Sequence, residues 1–390
     1  MTNHFSREGF TKQNQVNLIR GGRAYFDQLA VLICSAKHSI HLQMYIFEED
    51  ETGQGILQAL EAAAKRGVAV FLLVDGYASQ KLSPKIIQEV KAAGIRFRWF
   101  EPLLRSRYFY FGRRLHHKIV VADASVALVG GLNIGNRYND FPGQDAWLDW
   151  AVLISGEVTL KLFYLCQDLW NKSGWGKKKL HPVYLQPVVS LPDNQCLVRI
   201  RREDWVRRKS EISASYLQML RQAQHEVIIM SSYFLPGRLI RKSLAAAAKR
   251  GVKVAVITTG KSDVQMAKHA ERYLYRWMLD HNIRLYEYQE NILHGKISCA
   301  DGTLTTVGSY NVNFLSAFAS IELNLDILDA GFGGDVNQQL QEIIQDHCLP
   351  ITAKEWLQYY HFWERAWQRI SYDLIRFAFY LFTFYFRQHK

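Results

Sequence analysis

The heptapeptide AAAKRGV occurs twice in this chain, at Ala62–Val68 and at Ala246–Val252. Each copy closes an amphipathic helical pattern. Gly67 or Gly251 supplies the left-handed residue that ends the helix, and an apolar run follows, AVFLLVDG or KVAVITTG. Upstream of each helix stands another strand candidate, HSIHLQMYIF or HEVIIMSSYF. Both halves therefore read strand–helix–strand. The fold class this predicts is α/β: two similar α/β/α sandwich halves related by a pseudo-two-fold, with mixed, mostly parallel sheets. The expected organisation is a first half over 1–170, a linker over 171–195, a second half over 196–350 and an aromatic C-terminal segment over 351–390. The linker concentrates Gly, Lys and three of the eight prolines.

The duplication extends to chemistry. LHHKIVVADASVALVGGLN, Leu115–Asn133, and LHGKISCADGTLTTVGSYN, Leu293–Asn311, share the skeleton H-x-K-x4-D-x6-G-[GS]-x-N. Its members are His116, Lys118, Asp123, Gly130 and Asn133, then His294, Lys296, Asp301, Gly308 and Asn311. His117 is matched by Gly295, so the repeated histidine is His116. Strand parity agrees, because residues two apart share a face and place His116 beside Lys118 while His117 turns away. An imidazole and an ammonium on one face suit a phosphate.

Asp123 and Asp301 have the opposite parity and stand between apolar runs, where Asp-Gly favours a hairpin. They are read as turn formers. Turns centred on 123–124 and 301–302 set residue 116 opposite 131 and 294 opposite 309. Gly131 and Ser309 then face the histidines, with Asn133 and Asn311 just beyond as donors. Each imidazole also needs a partner to fix its tautomer. Asp149, 33 residues after His116, and Glu322, 28 residues after His294, lie in alternating apolar strands where an unpaired carboxylate is costly. Asp145 and Asp326 are weaker rivals.

The 48 Lys plus Arg exceed the 36 Asp plus Glu by 12, which favours anionic partners without choosing between a nucleic acid and an acidic membrane. The five cysteines are scattered and form no CxxC pair, so neither a structural metal nor a disulfide framework is expected. The start, MTNHFSREGFTKQ, has no secretory pattern, and no run reaches the ~20 apolar residues of a membrane span. Two features suit a lipid surface. Arg105, Arg107, Arg113 and Arg114 interleave with Tyr and Phe just before the first motif, and Phe377–Phe386 is uncharged and aromatic between basic residues.

These residues resemble the phospholipase D superfamily, whose hallmark is a duplicated HKD motif. More narrowly, YIFEEDETGQGILQALEAAAKRGVAVFLLVDG and LHHKIVVADASVALVGGLNIGNRY look like the shorter bacterial cardiolipin synthases. The resemblance implies the duplicated phospholipase D fold and a metal-independent, cofactor-free, two-step phosphoryl transfer at one shared site. It implies His116 as nucleophile, forming a phosphohistidine, and His294 as acid then base. Lys118, Lys296, Asn133 and Asn311 would hold phosphate oxygens, and Asp149 and Glu322 would bind the imidazoles. The implied substrate is phosphatidylglycerol at the cytoplasmic face of a bacterial inner membrane, with no obligatory protein partner and no nucleic acid. Phospholipid hydrolysis, a nuclease of the same superfamily, and a non-enzymatic anionic-lipid binder are the competing readings. The chain departs from the family at Ser320, where asparagine is frequent two residues before the second carboxylate.

Overall fold

A computed structural model describes residues 4–102, 113–173, 180, 196–313, 320–354, 356 and 362–387. The first half holds β1 (Thr11–Arg20), β2 (Ser39–Met44), β3 (Ala69–Asp75), β4 (Arg96–Phe100), β5 (Arg114–Leu115), β6 (Lys118–Ala122), β7 (Val126–Gly130) and β8 (Trp150–Gly156). The second holds β9 (Cys196–Asp204), β10 (Lys209–Ser210), β11 (Glu226–Ser231), β12 (Lys253–Lys261), β13 (Arg284–Ile292), β14 (Lys296–Ala300), β15 (Leu304–Gly308), β16 (Ser320–Leu328) and β17 (Cys348–Ile351).

Strand pairings run β4–β3–β2–β6–β7–β8–β1 in the first half. They run β17–β13–β12–β11–β14–β15–β16–β9 in the second. The two orders match strand for strand from β4 to β1 and from β13 to β9. β1 and β9 then pair antiparallel and join them. The architecture is mixed α/β with two similarly arranged regions. The expectation of mostly parallel sheets is corrected. Within each half only β2–β3–β4 and β11–β12–β13 are parallel, and the other neighbours are antiparallel. The repeated strand–helix–strand unit builds the parallel part, whereas the motif hairpin and its return strands need only short turns and so run antiparallel.

The repeated heptapeptide has one job in both halves. The helices Glu51–Lys65 and Arg238–Lys249 end where Gly67 and Gly251 take φ of 91°. Val68 N–H donates to Ala63 O and Val252 N–H to Ala247 O, closing each helix in a Schellman pattern. Arg66 donates to Ile33 O and Cys34 O, and Arg250 to Leu220 O and Ala223 O. Each arginine thus satisfies orphan carbonyls at the end of the preceding helix.

A shared core lies between the halves. Ile119, Val129, Trp150 and Val152 from one side meet Ile228, Met230, Ile297 and Leu325 from the other. The helices Glu157–Lys172 and Ala330–His347 pack on it through Leu162 and Leu340. The helices Arg23–Ser35 and Glu51–Lys65 cover the outer face of the first half. The helices Glu211–Gln222 and Arg238–Lys249 do so for the second. Most of the expected 171–195 linker lies outside the described residues.

Candidate active site

The motif hairpins begin from their turns. Asp123 and Ala124 have φ of 52° and 53°, and Asp301 and Gly302 have 51° and 56°. These pairs of left-handed residues make type I′ turns, closed by Ser125 N–H to Ala122 O and Thr303 N–H to Ala300 O, both 3.0 Å. Each aspartate does a second thing. The Asp123 carboxylate accepts the N–H groups of Lys37, His38 and Ser39, all at 2.8 Å. Asp301 accepts those of Gln224, His225 and Glu226, also at 2.8 Å. The aspartates therefore anchor the start of β2 and β11 at the end of the hairpin away from the histidines.

The expected register is off by one. Ile119 pairs with Val129 and Ile297 with Val307, which sets 116 against 132 and 294 against 310. Ser125 and Thr303 follow the turns as extra residues on the return strands, and each shifts its ladder by one position.

Each histidine sits beside a strand of the other half. Backbone N–H of His116 donates to Ile321 O at 3.0 Å, next to the parallel pairing of β5 with β16. Backbone N–H of His294 donates to Leu148 O at 2.8 Å, at a parallel bridge of Leu148 with Leu293. In both places the acceptor immediately precedes a buried carboxylate. His116 Nδ1 lies 2.7 Å from Glu322 Oε2, and His294 Nδ1 lies 2.5 Å from Asp149 Oδ2. Sequence proximity put Asp149 with His116 and Glu322 with His294; the fold exchanges them. Of the rivals, Asp145 is exposed, and Asp326 is bound by Arg199 at 2.9 Å and Ser215 at 2.6 Å.

Lys118 and Lys296 are buried. Lys118 Nζ donates to His116 O at 3.0 Å, and Lys296 Nζ donates to His294 O. One ammonium hydrogen of each is thus tied to its own motif, leaving two for a ligand. His117 faces the other way, with Nδ1 3.2 Å from Gln43 Oε1. A Cβ on its counterpart Gly295 would come within 2.9 Å of Trp150 Cδ1, so glycine is what fits there. Gly130 and Gly308 are likewise backed by strand neighbours, 2.4 Å from Trp150 O and 2.3 Å from Leu323 O for an added Cβ.

The two asparagines differ. Asn133 accepts Ile46 N–H at 3.1 Å and donates to Tyr138 Oη at 2.8 Å, so both ends of its amide are engaged. Asn311 is buried with its amide oxygen unpartnered. Aromatic rings not singled out from sequence line both imidazoles. Tyr45 lies edge-on to His116 at 4.6 Å between centroids, and Tyr138 and Trp147 lie 5.2 and 6.0 Å from His294. Their signal was positional: Tyr45 directly follows Met44, which pairs with Lys118. Among the described residues, no group of three or more His, Cys, Asp or Glu is arranged to hold a metal ion.

The family model described as "Cardiolipin synthase, PLD-like domain" matches residues 29–157 and 216–348, one span for each half of this arrangement. The chain belongs to the phospholipase D superfamily. Cardiolipin synthase B of Salmonella typhi is 33% identical over 356 residues, covering 88% of this chain and 83% of that protein. Cardiolipin synthase B of Escherichia coli K12 is 32% identical over 360 residues, with the same coverage of 88% and 83%. Among solved structures, phosphatidylserine synthase from Haemophilus influenzae Rd KW20 shares the fold. Its TM-score is 0.75 at 16% identity, over 95% of this chain and 96% of that one.

This phospholipase D-like site is electrostatically lopsided. Burial raises the Glu322 carboxyl, but His116, Lys118 and the Ser309 hydroxyl outweigh it and hold it below the usual carboxylate range. Ser309 Oγ donates to Glu322 Oε2 at 2.5 Å and Ser320 Oγ to Oε1 at 2.7 Å. Asp149 has no such hydroxyl, because a Cβ on Gly131 would stand 2.2 Å from its Oδ1. Burial pushes its carboxyl up to about 6, against the pull of Lys296 and the Trp150 N–H. Burial lowers Lys296 to about 8 and Lys118 well below the lysine range, with Asp149 and Glu322 opposing in both cases. Burial also lowers both imidazoles, with Glu322 opposing at His116 and the two lysine charges reinforcing it at His294. Burial thus favours a neutral His116, whose Nε2 lone pair is open, while a second proton on His294 depends on the negative charge of a phosphate beside it.

The basic loop before the first motif is partly committed elsewhere. Arg113 is bonded to Asp204 at 2.8 Å, and Arg114 to Glu101 O at 2.6 Å with Asp75 at 3.5 Å. Arg105 and Arg107 lie outside the described residues.

Proposed function

We propose that the chain is a phosphatidyltransferase of the cardiolipin synthase type, working at a seam between two halves related by a pseudo-two-fold. The observation that carries this is the exchanged pair His116–Glu322 and His294–Asp149 with Lys118 and Lys296 alongside. The similarity to cardiolipin synthase B over 88% of the chain supports the choice of lipid. His116 Nε2 attacks the phosphorus of phosphatidylglycerol while His294 Nε2 gives its proton to the departing glycerol oxygen. The phosphatidyl group is then held on His116. His294, now neutral, removes a proton from a hydroxyl of a second phosphatidylglycerol, whose oxygen attacks the phosphorus and frees His116. Two phosphatidylglycerols become cardiolipin and glycerol.

The phosphate carries a negative charge throughout, and two ammonium groups beside it offset its repulsion of an oxygen nucleophile. Glu322, held ionised, stabilises positive charge on the attacking imidazole. Asp149, less readily ionised, leaves His294 the better proton donor. The protein would act at the cytoplasmic face of a bacterial inner membrane, where this lipid is presented.

Purified protein with phosphatidylglycerol vesicles, followed by lipid analysis, tests the reading. Cardiolipin with free glycerol is the expected result. Phosphatidic acid alone would replace it with a phospholipase, and turnover of DNA without turnover of lipid would overturn it.

A further inference from the structure

The helix Phe362–Arg387 carries three distinct faces. Gln368, Ser371, Tyr372 and Ile375 are buried against the second half, where Tyr372 packs on Tyr273 at 4.9 Å. A second face is apolar and largely exposed, with Trp367 edge-on to His269 at 6.5 Å. Trp363, Trp367, Ile370, Leu374 and Phe377 are 79%, 50%, 48%, 48% and 60% exposed. Their spacing of four, three, four and three residues keeps them within an arc of about 80° at 3.6 residues per turn. Arg369 and Arg376, both exposed, form a third face that borders the other two and also carries Asp373, its carboxylate 3.8 Å from Arg369. Beyond Phe377 the sequence AFYLFTFYF continues without a charge to Arg387.

We infer that this helix docks the protein on an anionic lipid surface, with the Trp363–Phe377 stripe as the inserted face. Three observations choose that occupant. An apolar stripe this exposed is rare on a soluble surface unless something covers it. Trp and Phe flanked by arginine match the chemistry of the headgroup layer, where rings enter and guanidinium groups stay at the phosphates. A second copy fits poorly, because paired helices with a 3.5-residue stripe are built from Leu, Ile and Val in the seam rather than tryptophan. The chain's excess of 12 positive charges adds attraction to such a surface. No described helix is long and apolar enough to cross a membrane, so the helix would lie along the surface.

The underside of the helix connects to the second motif through Phe234, because the next residue, Leu235, bridges Asn313 two positions beyond Asn311. It packs on the helix Gln265–Tyr273, whose Glu271 accepts Phe234 N–H at 2.8 Å and whose Lys268 binds Glu271 at 2.8 Å. Phe234 adjoins Tyr233, whose hydroxyl donates to Asp263 just before that helix. A lipid surface that holds the outer helix would thus fix the orientation of the second half-site to the bilayer. The inference leans on the lipid reading only in choosing anionic vesicles.

The test is sedimentation of the full chain with vesicles of phosphatidylglycerol and phosphatidylcholine, and with phosphatidylcholine alone. Trp367→Ser/Leu374→Ser should lower partitioning into the mixed vesicles at least tenfold with an unchanged melting temperature. Arg369→Glu/Arg376→Glu should abolish the preference for anionic vesicles. Undiminished partitioning of the first variant overturns the inference. So does a wild-type dimer that this variant dissociates while still binding vesicles, since the stripe would then belong to a second copy. Partitioning is read without turnover. A protein that binds vesicles but makes no cardiolipin would sink the proposed reaction and leave the docking face standing.

Discussion

Glu322 holds the imidazole of His116 at 2.7 Å across 206 residues of chain, while Asp149 of the first half holds His294 of the second at 2.5 Å. Each histidine is therefore tuned by the opposite half. Glu322→Gln should displace the His116 Nδ1–H proton resonance and leave that of His294 in place, with Asp149→Asn doing the reverse. Each should lower kcat by roughly 10²–10⁴-fold, the range for an impaired acid–base group. A Glu322→Gln protein whose His294 resonance moves instead would show that the pairs are not exchanged in solution.

The site also sets a pH window. Asp149, with its carboxyl raised to about 6, loses its charge as pH falls through that value and no longer orients His294. Lys296, lowered to about 8, loses its charge as pH rises through it, and the phosphate loses a cation. A plot of kcat/KM, which reports the free enzyme, should form a bell between about 6 and about 8. Lys296→Arg keeps its charge, so its alkaline limb should move upward even though its maximum is lower. An alkaline limb that stays put would assign it to another group.

Asp123 and Asp301 are expected to serve stability rather than turnover. Each binds three backbone N–H groups at the head of the strand leading to the site. Asp123→Ala should cost about 2–3 kcal/mol in urea unfolding, the scale of a lost cluster of charge-assisted hydrogen bonds. The kcat of the folded fraction should change by less than about fivefold, well short of the loss from a misplaced reacting group. Full stability with no turnover would return the aspartate to the chemistry.

Gly131 and Ser309 occupy matching motif positions and should not be interchangeable. Gly131→Ser drives a side chain into Asp149, which lies 2.2 Å from the position of its Cβ. About a hundredfold loss of kcat is expected, as for a reacting group displaced by roughly an ångström. Ser309→Gly only removes a hydroxyl from Glu322, which keeps His116 and Ser320 as partners, so a smaller loss is expected, with the acid limb set by Asp149 left in place. Equal losses would deny the asymmetry.

The sequence displayed the repeat, the two motifs, the parity that separates His116 from His117 and the turn at each aspartate. Those are local matters, decided by residues within a few positions of one another. The exchange of carboxylates was hidden because it depends on β5 lying beside β16 and Leu148 beside Leu293, contacts between residues far apart in the chain. Register was missed by one because Ser125 and Thr303 look like ordinary strand residues until the ladder is traced. The arginine of AAAKRGV gave no sign that it would cap a neighbouring helix. Asn133 and Asn311 are identical in sequence, yet only the packing of Tyr138 and Ile46 occupies one amide and not the other.

The exchanged carboxylates also bear on how such a chain works as one piece. Either half made alone holds a histidine without its acid and an acid without its histidine. Two separate halves would regain a site only by colliding, and activity would fade on dilution. Joined in one polypeptide, they meet at an effective concentration fixed by the tether, so catalysis is independent of how scarce the protein is. The join has a second effect. Two identical halves would have to carry the same residue at the position of Gly131 and Ser309. A single chain is free to place a hydroxyl beside one acid and press a glycine backbone against the other, and so to divide attack and proton transfer between two copies of one motif.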